Sequence, residues 1–170
     1  MTLDARGERS FSFARKPGAD TQLRAEELDL SLIEKTKAFH FGTLSLTDEP
    51  ARGATQRAVA FAKERGKLIT FDPNLRPPLW RSPDDAREQM LWGLGQADVV
   101  KLSDNEVKFL FGLSPREGAA YIRERFGTQL VFVTCGADGC EFANPSARGH
   151  VDGLKGLTVG GAQVSEKHAG

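Results

Sequence analysis

Three stretches of this chain combine residue types that could bind and move a charged group. The first is Asp72-Pro73-Asn74-Leu75-Arg76. Asp and Asn can bond their own backbone and make a turn. That leaves Arg76 and the following Pro77-Pro78-Leu79-Trp80 unexplained. A guanidinium at such a place can clamp a phosphate or carboxylate through two parallel N–H bonds, so we place ligand binding ahead of a plain turn. The second is Lys101-Leu102-Ser103-Asp104-Asn105-Glu106. Ser103 with Glu106 three residues on is a capping box, and a capped helix explains the pair locally. The same geometry offers a helix N-terminus to an anion, and a carboxylate there could order Mg²⁺-bound water near a phosphate. The third is Thr134-Cys135-Gly136-Ala137-Asp138-Gly139. It is a glycine turn, or a loop whose missing Cβ atoms let phosphates approach. Gly136 and Gly139 form only a GxxG pattern, and the chain has neither a Walker loop nor a GxGxxG fingerprint.

Bulk properties narrow the chemistry further. The chain has 170 residues, the size of one domain, with 23 basic and 23 acidic residues. That balance does not favour nucleic acid or an anionic membrane as partner. Cys135 and Cys140 are the two cysteines, too few for a disulfide scaffold and not spaced as a CxxC site. The first residues are not an apolar signal core, and no stretch approaches the ~20 apolar residues of a membrane span. A cytoplasmic protein is expected.

The elements that must position the three stretches can be read from periodicity. Ser10-Phe11-Ser12-Phe13 alternates as a strand does, and a short helix is predicted over 30–35. A strand follows at 38–42. Asp48-Glu49-Pro50 opens a helix that Gly66 stops. A strand over 68–71 ends at Asp72. Ser82 caps a helix to about Leu94, and 98–102 is a strand. Ser103 caps a helix ending at Gly112, and the box Ser114-Pro115-Arg116-Glu117 opens another that stops near Gly127. Residues 130–134 form a continuous apolar strand of the kind buried on both faces of a parallel sheet. Gly136 to Gly139 turns the chain into 140–143, and His150-Val151 is a further short strand. Repeated strand–helix alternation means a mostly parallel sheet with helices on its faces, and ligands then sit beyond the strands' C-terminal ends. All three stretches lie there.

Taken in order, Phe11-x-Phe13-x-Arg15, Phe39-His40-Phe41-Gly42-Thr43-Leu44-Ser45-Leu46, Phe71-Asp72-Pro73-Asn74-Leu75-Arg76, Lys101-x-Ser103-x-x-Glu106 and Val133-Thr134-x-Gly136-x-x-Gly139 resemble the ribokinase-like sugar kinases, the PfkB family, and most of all their fructokinase branch. The resemblance covers roughly residues 1–153. It implies a three-layer α/β/α sandwich with a small β lid, of which this chain would hold an incomplete portion and a lid strand at about 8–16. It implies transfer of the γ-phosphoryl of ATP, with Mg²⁺, to a sugar hydroxyl. By matching motifs, Arg15, Asn74 and Arg76 would face the sugar. Lys101, Ser103, Glu106, Thr134, Gly136 and Gly139 would face nucleotide and Mg²⁺, with no direct metal ligand. Ser103 stands where many relatives carry Asn.

Two departures qualify the resemblance. Relatives have preceding strands with a Gly-Gly sugar signature, which are absent here. Relatives also continue past the GHVDG stretch into Asp-Thr-Thr-Gly-Ala-Gly-Asp, whose last Asp is the catalytic base. Here Lys155-Gly156-Leu157-Thr158-Val159-Gly160-Gly161-Ala162-Gln163 stands instead, and no Asp lies beyond Asp152. The expectation is therefore a truncated kinase with no assignable catalytic residue, inactive alone, with residues 154–170 a disordered tail and self-association through an exposed sheet edge. The alternative is a non-catalytic nucleotide-binding or interaction module, such as half of a split kinase.

Overall fold

The computed structural model describes residues 18–154 and, outside them, the backbone of four short strands. Thr2–Leu3 (β1) pairs antiparallel with Arg9–Ser10 (β2). Thr158–Val159 (β9) and Ala162–Gln163 (β10) pair likewise at the other end. The rest of the expected lid strand at 8–16, with Arg15, lies outside the described residues, as does most of the expected tail.

The centre is a six-stranded sheet in the order Ala38–Phe41 (β3), Leu68–Phe71 (β4), Val99–Ser103 (β5), Leu130–Thr134 (β6), Cys140–Ala143 (β7) and Arg148–Val151 (β8). The first four strands are mutually parallel and the last two are antiparallel hairpin partners. Helix Leu30–Glu34 (α1) precedes β3, and helices Ala51–Glu64 (α2), Pro83–Gln96 (α3), Asp104–Phe111 (α4) and Pro115–Phe126 (α5) fill the connections between the parallel strands.

The helix starts predicted at Ser82, Ser103 and Ser114 are visible as bonded caps, whereas the helix after Asp48-Glu49-Pro50 begins at Ala51 with Pro50 as a cap that makes no side-chain bond. Ser82 Oγ accepts the Asp85 N–H at 3.1 Å. Ser103 and Ser114 form full capping boxes with Glu106 and Glu117. The stops are as legible. Gly112 and Gly127 close α4 and α5 with φ of 67°, the left-handed conformation in which a Cβ is penalised.

Register fixes which face of the sheet is covered. Phe41 lies beside Phe71, Phe71 beside Val100, Val100 beside Val131, and Val131 beside Ala143. All five are buried. Ala58, Val59, Met90, Leu94, Val107 and Ile122, from α2 to α5, join them in one core. Residues of alternate parity face the other way. The expectation that residues 130–134 are buried on both faces is corrected accordingly. Val131 and Val133 are buried, whereas Leu130, Phe132 and Thr134 are half-buried. Strands that succeed one another in a single direction through right-handed crossovers put their helices on the same side. Among the described residues the other side carries no helical layer. There Leu68 is 40 % and Val151 59 % exposed.

Candidate functional site

Parallel strands β4 and β5 end side by side, so the segments leaving them meet. The turn after β4 and the first turn of α4 enclose a cleft of about 320 Å³. Asp72, Asn74, Arg76, Lys101, Ser103 and Glu106 all line it, together with Leu75, Pro77 and Asn105. Two of the three stretches singled out from sequence thus converge on one space.

Glu106 organises this space. Its Oε2 accepts the Ser103 N–H at 2.7 Å and the Ser103 O–H at 2.9 Å, completing the cap of α4. Its Oε1 reaches across and accepts the Leu75 N–H at 2.7 Å. The residue is only 6 % exposed, and these donors replace the water that the carboxylate gives up. The capped-helix account is therefore realised, and the same carboxylate also holds the neighbouring turn.

Lys101 and Asp72 occupy the face of the sheet away from the helices. Lys101 Nζ lies 2.9 Å from Asp72 Oδ2. Asp72 Oδ1 is buried without a partner among the described residues. Asn74 is exposed and has φ of 50°, left-handed without being glycine. Side chains held in such conformations concentrate at functional sites. Arg76 Nη1 donates to the Leu75 carbonyl at 3.0 Å.

The third stretch lies on the same edge but does not line the cleft. Thr134 is the register partner of Ser103, and its Oγ1 donates to the Leu102 carbonyl at 3.2 Å. Gly136, with φ of 58°, has open space where a Cβ would stand. Gly139 has a structural reason of its own, since a Cβ there would collide with the Val151 carbonyl. Burial pushes the thiols of Cys135 and Cys140 up from their ordinary value, with the negative charge of Asp104 adding to the shift at Cys135. Both are protonated near neutrality, and neither is a nucleophile or soft metal ligand in that form.

The fit to a nucleotide can be tested on these contacts. Cationic Lys101 and Arg76 beside the start of α4 suit a polyphosphate. Among the described residues no group of three or more His, Cys, Asp or Glu could hold a metal ion. Thr43 was not assigned a role from sequence, although it lies two residues past β3 as Pro73 lies two past β4. It is fully buried, and both its N–H and its O–H donate to the Pro73 carbonyl, at 3.1 and 2.6 Å. Its signal was positional: it stands just past a strand's C-terminal end. No helix among the described residues is long and apolar enough to cross a membrane.

Comparison with known proteins places these features in context. The profile of the pfkB family carbohydrate kinases matches residues 1–160. Probable fructokinase-2 of Arabidopsis thaliana is 42 % identical over 153 residues, covering 89 % of this chain and 46 % of that protein. The fructokinase of Vibrio cholerae O395, solved with fructose, ADP and calcium ion bound, superposes with a TM-score of 0.74 at 36 % identity, over 89 % of this chain and 49 % of that one. Aminoimidazole riboside kinase of Salmonella enterica has the same TM-score at 26 % identity, over 88 % and 50 %. The chain spans about half the length of each.

Proposed function

Because the chain belongs to the pfkB family of carbohydrate kinases, we propose that it supplies the strand-end cleft of an ATP-dependent, fructokinase-like enzyme that phosphorylates a sugar hydroxyl. One observation carries the proposal: Asn74, Arg76, Lys101, Ser103 and Glu106, scattered over 33 positions of sequence (74 to 106), line one cleft at the C-terminal ends of β4 and β5. Ligands of open α/β sheets bind at such strand ends.

In this reading Arg15, Asn74 and Arg76 contact the sugar and the transferred phosphoryl. Lys101 and the N-terminal end of α4, with Ser103 and Glu106, face the nucleotide, and Thr134, Gly136 and Gly139 border its phosphates. Mg²⁺ bound to ATP would offset charge on the phosphates during transfer. The relatives' names, fructokinase and aminoimidazole riboside kinase, favour a furanose-type sugar acceptor and fructose first among them.

The 170-residue chain alone is proposed not to turn over. Phosphoryl transfer needs a group to accept the hydroxyl proton, a contribution of about 10²–10⁴-fold. No Asp follows Asp152 to occupy the family's base position. Calorimetric titration with MgATP, paired with a coupled assay on fructose, tests both parts. MgATP binding without turnover is the expected result. Absence of MgATP binding overturns the site, and turnover at ordinary kinase rates overturns the inactivity.

A second reading is favoured by the uncovered side of the sheet. Leu68 and Val151 expose apolar surface there, which fits a chain that associates with itself or works as one half of a split kinase. Sedimentation of the isolated chain as a monomer at all concentrations would count against self-association.

A further inference from the structure

We infer that Thr43 is a positioning residue of the proposed kinase site, which with Glu106 locks Asn74 into the left-handed conformation required for ligand binding. The inference rests on the kinase-site reading above and extends it to a residue outside the cleft.

The geometry has a simple mechanical form. Two peptide planes flank Asn74, and only its own φ and ψ lie between them. The plane before it contains the Pro73 carbonyl. That oxygen accepts both the N–H of Thr43 at 3.1 Å and its O–H at 2.6 Å. The plane after it contains the Leu75 N–H, which donates to Glu106 Oε1 at 2.7 Å. With both planes pinned to buried groups, the two torsions of Asn74 have little freedom. They are held at φ of 50°, where an ordinary side chain is disfavoured.

Neighbouring contacts keep Thr43 in place. The Asp72 N–H donates to the Phe41 carbonyl at 3.2 Å, extending the β3–β4 ladder past the strands. A Cβ on Gly42 would stand 2.7 Å from the Asp72 carbonyl oxygen, so the two backbones approach too closely for a side chain. Thr43 also starts the 3-10 turn over Leu44–Leu46, and its carbonyl accepts the Leu46 N–H at 2.9 Å. The anchor is therefore rigid, while Asn74 itself is exposed at the cleft.

The test uses the full 170-residue chain and MgATP as probe. Thr43→Val removes the hydroxyl donor but keeps shape and the N–H. It is expected to weaken MgATP binding about tenfold, the effect of roughly one buried hydrogen bond. Thr43→Ser keeps the donor and is expected to bind within about twofold of the parent chain. In an Asn74→Gly background, where the left-handed conformation needs no clamp, Thr43→Val should add little further loss. Unchanged binding in Thr43→Val, or the same loss with and without Asn74→Gly, would overturn the inference.

Backbone chemical shifts of Asn74 in the parent chain give a reading that no folding failure can obscure. Left-handed values support the clamp, and ordinary helical or extended values overturn it. If the parent chain binds no MgATP, the site reading fails. A shift of Asn74 toward ordinary values in Thr43→Val then decides the clamp by itself.

Discussion

The Glu106 carboxylate accepts the Leu75 N–H at 2.7 Å, tying the turn after β4 to the helix that follows β5. The two residues are 31 positions apart. Because the other oxygen caps α4, one buried side chain joins two elements that must keep their spacing if the cleft is to keep its shape. Glu106→Ala removes the acceptor of three half-buried donors, the Leu75 N–H and the N–H and O–H of Ser103. It should lower stability by about 2–4 kcal/mol. Glu106→Gln keeps one acceptor oxygen but turns an amide toward a donor, and should fall between. Thermal melts of the three chains check the order, and equal melting temperatures would refute the tie.

The Lys101–Asp72 pair should behave differently. The side chains are 46 % and 26 % exposed, so water screens their attraction. Such pairs contribute about 0–1 kcal/mol. Lys101→Met should leave the melting temperature nearly unchanged yet weaken MgATP binding about tenfold. The parent chain's affinity should also fall more steeply with salt than the variant's. Equal salt dependence in the two would show that Lys101 does not face the polyphosphate.

Two glycines of α3 make opposite predictions. A Cβ on Gly93 would run into the ring of Phe71, a buried residue immediately before Asp72. Gly93→Ala should destabilise by about 1–3 kcal/mol despite the better helix propensity of alanine. At Gly95 nothing lies within 4 Å of the added carbon. Gly95→Ala should stabilise by up to about 1 kcal/mol. Denaturant melts of both variants would settle the contrast. Because Phe71 leads into the cleft turn, Gly93→Ala should also weaken MgATP binding, while Gly95→Ala leaves it unchanged.

The contrast between these sites explains how far the sequence could be read. Ser82, Ser103 and Ser114 announce helix starts because capping is a contact between residues three apart. Gly112 and Gly127 announce stops because a left-handed φ is a property of one residue. The alternation of such elements was enough to place Asp72, Ser103 and Thr134 at strand ends. Contacts across the sheet left fainter marks. Nothing local in Thr43 says that its hydroxyl meets Pro73, and nothing in Glu106 says that its second oxygen serves Leu75. The apolar run at 130–134 looked like a strand covered twice, because composition does not reveal which face a helix layer occupies.

The capping box of α5 supplies a pH-dependent prediction. The Ser114 hydroxyl and N–H donate to the Glu117 carboxylate and lower its pKa from the ordinary glutamate value of 4.5. A carboxyl with a depressed folded-state pKa contributes stability that is fully present above its unfolded-state value. That contribution is lost as pH falls through the folded-state value. Below both values the protonated group no longer accepts two bonds, and the helix start loses a cap. The parent chain should therefore show a component of acid destabilisation beginning near pH 4.5 and continuing below it. Glu117→Gln, which has no charge to lose, should lack that component while melting slightly lower at neutral pH. Melting curves taken at closely spaced pH values on both chains provide the comparison. Parallel acid limbs would show that the Ser114–Glu117 bonds do not persist in solution.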